Sequence, residues 1–311
     1  MIKGVSGFMG EKSYKDALID KDIPYSVLVQ GWNKPRYVYK YQNFYDADGS
    51  KNVYWKDSFK GLFHLSLPYT FEDKNDCAPF YNSDDVKKIF YDFLDRFSPE
   101  KKDELIQELM GEIDDEHFDR IKENYQKSIY IGCFAKSPSI DEMWNKYSND
   151  HTGYCIEYEV EKDKLLSEHM LPVLYSDSPY NSSFAFALSV LLESIKAGKG
   201  RTDEENIKYY GKYYERLQKM SYVPVFIKQR SKWAFEEECR LFLTPHVRMD
   251  LDKTDVVEAK SLMDDNDCID LSQAVSRIYI GKHFDKNPDS EALLEEIKSI
   301  AGDKLSFCKT Y

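Results

Sequence analysis

Glycine-rich phosphate cradles are missing from this 311-residue chain: neither G-x-G-x-x-G nor G-x-x-x-x-G-K-[ST] occurs. Gly198-Lys199-Gly200, the nearest glycine-rich spot, is too short to wrap a pyrophosphate. A Rossmann cofactor site and a Walker NTPase are therefore disfavoured. There is no G-x-S-x-G elbow and no H-E-x-x-H. The six cysteines (77, 133, 155, 239, 268 and 308) form no C-x-x-C pair, and their spacing with histidine matches no zinc site, so no metal is expected. No apolar run approaches a membrane span, and the opening MIKGVSGFMGEKSYKD lacks the apolar core of a signal peptide. The expected setting is a reducing cytoplasm. Positive charge is in short supply, with 43 Lys and Arg against 55 Asp and Glu and a net charge of -12. Such a surface repels phosphate backbones, which argues against nucleic-acid binding, although a local basic patch can still hold a nucleotide.

What the chain does have is aromatic side chains, 15% of its residues, led by 24 Tyr. Tyrosine pairs a flat apolar body with a hydroxyl and suits pocket walls, though an AT-rich genome gives the same bias. Along the chain, residues 1–35 read as an irregular or helical leader in which 25–30 is a short strand. Strands are expected at 36–41, 61–67, 128–134, 154–160, 171–175, 236–243, 267–271, 275–280 and 305–308. Helices are expected from 84 to 97, from Ser98-Pro99 to 110, and at 114–125, 139–147, 184–197, 203–220 and 288–300, with 225–233 as a further helical segment. Ser139 and Glu142 have the spacing of a capping box. Elements interleave irregularly, without βαβ spacing, a repeat or a low-complexity linker. The expectation is an α+β fold: one domain over 1–311, a mixed, mainly antiparallel sheet, and helical insertions at about 84–127 and 184–232.

Three constellations carry chemistry. In Trp233-Ala-Phe-Glu236-Glu-Glu238-Cys-Arg240, strand alternation places Glu236, Glu238 and Arg240 on one face. Two neighbouring carboxylates repel, which raises one pKa, while Arg240 holds the other in a bidentate pair. Such a pair can accept sugar hydroxyls or stabilise an oxocarbenium ion; it can equally be a solvated set of salt bridges. The second constellation is Met143-Trp144…Tyr147 with the His151-Thr-Gly153 turn, where Trp144 and Tyr147 can wall a pocket and Met143 fits the core. The third is Tyr39-Lys40-Tyr41 with His64 and Ser66, where Lys40 can meet a phosphate as a point charge or simply face solvent. The six histidines are scattered and read first as surface or capping residues.

In order, Tyr39-Lys-Tyr41, Leu62-Phe63, Ser66, Pro68, Phe71, Asp73, Cys133-Phe134, Met143-Trp144, Tyr147, His151, Gly153, Val173-Leu-Tyr175, Trp233, Glu236, Glu238, Arg240 and Ile278–Gly281 form a pattern. It resembles a bacterial family catalogued as domain of unknown function twenty-nine seventy-one. The family usually has Asn-Asp-Pro after the aromatic, and Phe71-Glu72-Asp73-Lys74 replaces it here. The resemblance implies an accessory protein of mobile or phage-defence loci. By looser analogy, the layout is similar to that of ADP-ribosyltransferases, with an early polar strand, a middle strand bearing Ser and a late E-x-E strand.

Three readings follow. The first is an NAD-using ADP-ribosyltransferase-like or NAD glycohydrolase effector of phage defence or a toxin system. Glu236 and Glu238 would be catalytic, with Tyr39, Lys40, Tyr41, Ser66, Trp144, Tyr147, His151, Trp233 and Arg240 binding a nucleotide or other small molecule. The second is a non-catalytic module that senses a ligand or docks a protein partner through the Tyr-rich helix 203–220. The third is a metal-dependent nuclease built on Glu236 and Glu238.

Overall fold

The computed structural model describes residues 11–23, 25–46, 48–97, 100, 102–111, 113–200, 202–243 and 262–307. The chain opens with α1 (Glu11–Ile19), α2 (Tyr25–Gly31), β1 (Tyr37–Gln42), α3 (Trp55–Lys60) and β2 (Leu62–His64). A helical block follows: α4 (Ser83–Phe97), α5 (Lys102–Gly111) and α6 (Asp115–Gln126). The centre holds β3 (Tyr130–Ala135), α7 (Asp141–Tyr147), β4 (Tyr154–Glu159), α8 (Lys164–His169), β5 (Met170–Pro172) and β6 (Leu174–Ser176). Next come α9 (Ser183–Lys199), α10 (Asp203–Tyr222), β7 (Ile227–Gln229), α11 (Arg230–Trp233) and β8 (Glu238–Leu243). The last elements are β9 (Cys268–Asp270), β10 (Val275–Ile280), α12 (Ser290–Ala301) and β11 (Leu305–Phe307).

Seven strands form the main sheet in the order β11-β10-β4-β1-β3-β8-β5, and β2–β9 and β6–β7 are separate pairs. In the main sheet only β10–β11 is parallel. The fold is thus α+β with a mixed, mainly antiparallel sheet. One sheet face packs the main core around Val38, Phe134, Ile156, Leu241 and Ile278. Helices α4–α6 and α9 bury a second cluster that includes Phe90, Ile106, Phe118, Phe186 and Leu191.

Several elements differ from the sequence expectation. Residues 25–30 are helical rather than a strand, because buried Tyr25, Leu28 and Val29 recur at i, i+3 and i+4. The capping box at Ser139 does not form. Ile140 is the N-cap of α7, and the Ser139 amide donates to Ser137 Oγ instead. The expected strand at 171–175 is two strands in different sheets: Met170–Pro172 pair with β8, and Leu174–Ser176 leave to pair with β7. Residues 225–233 do not extend α10. Pro224 cannot donate a helical amide bond, and the chain passes through a tight turn at Val223–Phe226 into β7. Strand β4 forms as expected and is buried on both faces. The helix start at Ser98-Pro99, the strand stop at Thr244-Pro245 and the strand residue Cys308 lie outside the described residues.

The expected turn before β4 is tight. Asn149, Asp150 and His151 all have positive φ. A Cβ on Gly281 would stand 2.1 Å from the His151 carbonyl oxygen, so only glycine admits this approach.

Helix α10 buries Lys219, whose ammonium reaches toward the Ala17 carbonyl of α1 at 3.4 Å. Burial pushes this amine down to about 7, with Asp20 opposing in part. Between about pH 7 and the ordinary lysine range near 10.4 the unfolded chain therefore binds one proton more than the folded one. Stability should rise with pH across that window, by at most about 1.4 kcal/mol per pH unit. Urea titrations of wild type and Lys219→Met test this: the variant loses the slope and is the more stable of the two at neutral pH.

Candidate functional site

Strands β1, β3 and β8 set the site. Tyr39 stands opposite Ala135 and Ala135 opposite Glu238, so three neighbouring strands place these residues in one row. Ala135 has almost no side chain, which leaves a hollow between the phenol and the carboxylate. β1 and β3 share just that one registered pair, whereas β1 and β4, and β3 and β8, pair along their length. The sheet splays at this seam, and a cavity of about 270 Å³ occupies it. Its walls include Tyr39, Lys40, Tyr41, Ser66, Tyr147, Trp233, Glu236 and Glu238.

Behind the carboxylates lies a buried array of charge. Arg240 is fully buried; it donates through Nε and Nη2 to Glu238 at 2.7 and 2.9 Å, and through both Nη atoms to Asp76 at 2.8 Å. It also donates to the Val225 carbonyl at 2.6 Å. Lys228, on β7, reaches Glu238 at 3.1 Å and Asp76 at 3.3 Å, and also donates to Glu236. The second Glu236 oxygen accepts from the Tyr147 hydroxyl. Three carboxylates thus share two cations, and the array is neutral only when one of them keeps a proton.

Environment decides which one. Burial and the neighbouring Glu238 charge raise Glu236 above the usual carboxylate range, with Lys228 and Tyr147 opposing. Burial also acts on Glu238, but Arg240 and Lys228 outweigh it and hold that carboxyl far below its ordinary value. Two carboxyls pushed in opposite directions on one wall give an acid–base asymmetry. Burial, then Glu236, pushes the Tyr147 phenol up, so it stays a donor. Across the cavity, the half-buried Lys40 ammonium stands 5.4 Å from the Phe63 ring, and among the described residues it makes no ion pair. It remains available to an anion.

The loop that departs from Asn-Asp-Pro forms part of the rim. Asp73 accepts from the Trp233 indole at 2.7 Å, and Glu72 pairs with Lys146 at 3.0 Å. Lys146 lies 4.0 Å above the Trp233 ring, closing that side.

Not every residue singled out in the sequence reaches the cavity. Trp144 points away from it, packing edge-on against Tyr41 at 5.1 Å and donating to the Pro138 carbonyl at 2.8 Å. His151 stacks on Trp144 at 5.7 Å, with Nε2 3.0 Å from Asp141. Both support the floor rather than line it, because α7 turns Met143 and Tyr147 inward. Arg240 also lies behind the wall. Glu236 and Glu238 do not converge by strand alternation. Residues 234–236 form a single tight turn, and Glu237 adopts φ +45°, which swings Glu236 back beside Glu238. Lys228, Asp76 and Cys133 were absent from the sequence reading of the site. Lys228 had a signal, the first cation after the apolar Val223–Ile227 run; Asp76, in a turn-rich stretch, had none.

Among the described residues no cluster of three or more His, Cys, Asp and Glu could hold a metal ion, and no helix is long and apolar enough to cross a membrane. No curated protein and no solved structure matches the chain. Residues 143–241, which run from Met143 on the cavity wall through the whole Glu236–Arg240 motif, match the model of the family described as Protein of unknown function (DUF2971).

Proposed function

We propose that the cavity binds the ribose end of a nucleotide, NAD first among them, and that the chain breaks the bond between ribose and nicotinamide. It would do so as a glycohydrolase or as an ADP-ribosyltransferase-like enzyme. The observation that carries this reading is the Glu236–Glu238 wall facing an uncommitted lysine across a hollow lined by Tyr39, Tyr147 and Trp233. Lys40 would hold a phosphate, and the rings would stack on the base. When the C1′–N bond breaks, its electron pair leaves with nicotinamide. The electron-poor C1′ is then attacked by water or an acceptor hydroxyl, whose proton passes to ionised Glu236. A carboxylate with a raised pKa is the better base for that step. Glu238, fixed as an anion, would steady the developing positive charge on the sugar. A cytoplasmic setting and a part in phage defence or a toxin system belong to the same proposal, and rest on the sequence and the family resemblance.

Calorimetry with NAD, paired with chromatographic detection of nicotinamide, tests the proposal. Binding with release is expected. Binding without release rejects the catalysis, and no binding rejects the site.

The nuclease reading is weaker, since the Lys228 ammonium already fills the space between the two carboxylates that a divalent cation would need. A partner-docking role keeps one specific support. On α10, Tyr209 and Tyr213 are 63% and 48% exposed, on either side of a kink at Tyr210. Replacing both by Ala should then abolish partner capture without changing NAD binding; capture that survives the double change removes this reading.

A further inference from the structure

A second cavity, of about 500 Å³, opens on the far side of the same charged array, with Asp73, Asp76 and Lys228 lining both. Its walls mix aromatic rings with acidic and other polar side chains. Phe80 is 45% exposed there, a large ring left half in water. Tyr81 stacks on Phe118 at 5.1 Å, and Tyr180 and three prolines also line the cavity. The charge around these rings is one-sided. Asp115 and Asp119, one turn apart on α6, and Asp177 across the cavity make no ion pair or side-chain hydrogen bond among the described residues. Of the two cations at this cavity, Lys228 is held by the buried carboxylates and Lys122 donates to the neutral Asn75 side chain on the same wall at 2.9 Å, so the aspartates outnumber the cations left to meet them. Like charges one helical turn apart repel, so a counter-cation supplied by a ligand relieves a standing cost.

We infer that this cavity is a binding site for an arginine side chain presented by a peptide segment of another protein. A guanidinium is flat, stacks on aromatic faces and bonds carboxylates through two parallel donors, which matches rings flanked by free aspartates. A volume of about 500 Å³ also lies in the ordinary range for ligand pockets and leaves room for residues flanking the arginine. The aspartates supply the charge complementarity, and Phe80 supplies the apolar platform. The site shares the Asp73, Asp76 and Lys228 wall with the nucleotide cavity but opens beyond it, and the argument for its occupant does not rest on the function proposed above.

The test is a fluorescence-anisotropy titration of the full chain with a labelled peptide, Gly-Tyr-Arg-Tyr-Gly, against the same peptide carrying citrulline. Agmatine serves as a free small guanidine competitor. The arginine peptide should bind at least about tenfold more tightly than the citrulline peptide, since loss of a charge-assisted pair costs about 1.5–3 kcal/mol. Asp115→Asn with Asp119→Asn, both on the surface, should remove that preference, and Phe80→Ala should weaken both peptides. NAD binding to the same variants, measured in parallel, should stay unchanged and reports on the first cavity alone. The inference is overturned if the wild-type chain binds no peptide, if citrulline binds equally, or if the asparagine variant keeps the preference. Agmatine binding as tightly as the peptide overturns the peptide as the source of the guanidinium.

Discussion

Glu236→Gln should reduce nicotinamide release by about 100-fold or more, the ordinary size of a lost general base, while NAD still binds. The substitution is close to isosteric, and the fold should tolerate it. Glutamine at 236 can still accept from Tyr147, and Lys228 retains Glu238 and Asp76. Two carboxylates then face two cations, and the buried array is neutral without a proton. The pH profile adds a check. Glu236 must be ionised to take the proton, and its pKa is raised by burial and by Glu238. Wild-type kcat/KM should therefore climb with pH through an apparent pKa above the ordinary carboxylate value, and the glutamine variant should lack that limb. Equal release by the two proteins would remove Glu236 from the chemistry.

Arg240→Met is expected to cost stability rather than chemistry, by about 3–5 kcal/mol, because it strands two buried carboxylates. Asp76 loses both of its bonds from the guanidinium, and Glu238 loses the two that fix its orientation. Domains are stable by only about 5–15 kcal/mol, so the loss is a large share of the total. Urea titration measures it directly. Arg240→Lys should recover little, since one ammonium cannot span Asp76 and Glu238 as the planar fork does. A loss below about 1 kcal/mol for the methionine variant would mean that water reaches the array and that its charges are solvated.

Why the charged array was only half legible follows from where its members lie. Glu238 and Arg240 belong to a strand, and a period of two predicts that they share a face. Glu236 reaches the same wall through a left-handed residue at 237, a conformation that no periodic pattern announces. Asp76 arrives from a loop, where acidic residues are ordinary, and its burial is a tertiary event. Lys228 lies on a three-residue strand within a stretch that reads as a helical segment. The sheet itself was readable from alternation and β-branched runs, but the order of its strands was not. That order depends on which edges meet after the chain has crossed the molecule several times. Trp144 shows the opposite limit. An aromatic residue beside a pocket motif is as good a brace as a wall, and only its neighbours, Tyr41 and His151, decide between them.

The lone β1–β3 pairing has a mechanical consequence. The strands on its two sides are supplied alternately along the chain, from β1 to β3, back to β4, and out again to β5 and β8. The halves are therefore laced together by the chain, although between β1 and β3 the ladder holds only at the Tyr39–Ala135 contact. Beyond that contact Ile131 of β3 exchanges hydrogen bonds with Ser66 rather than with β1. An occupant lodged in this gap should tie the two edges together, and slower amide exchange in β1 and β3 would report its arrival, whatever its identity.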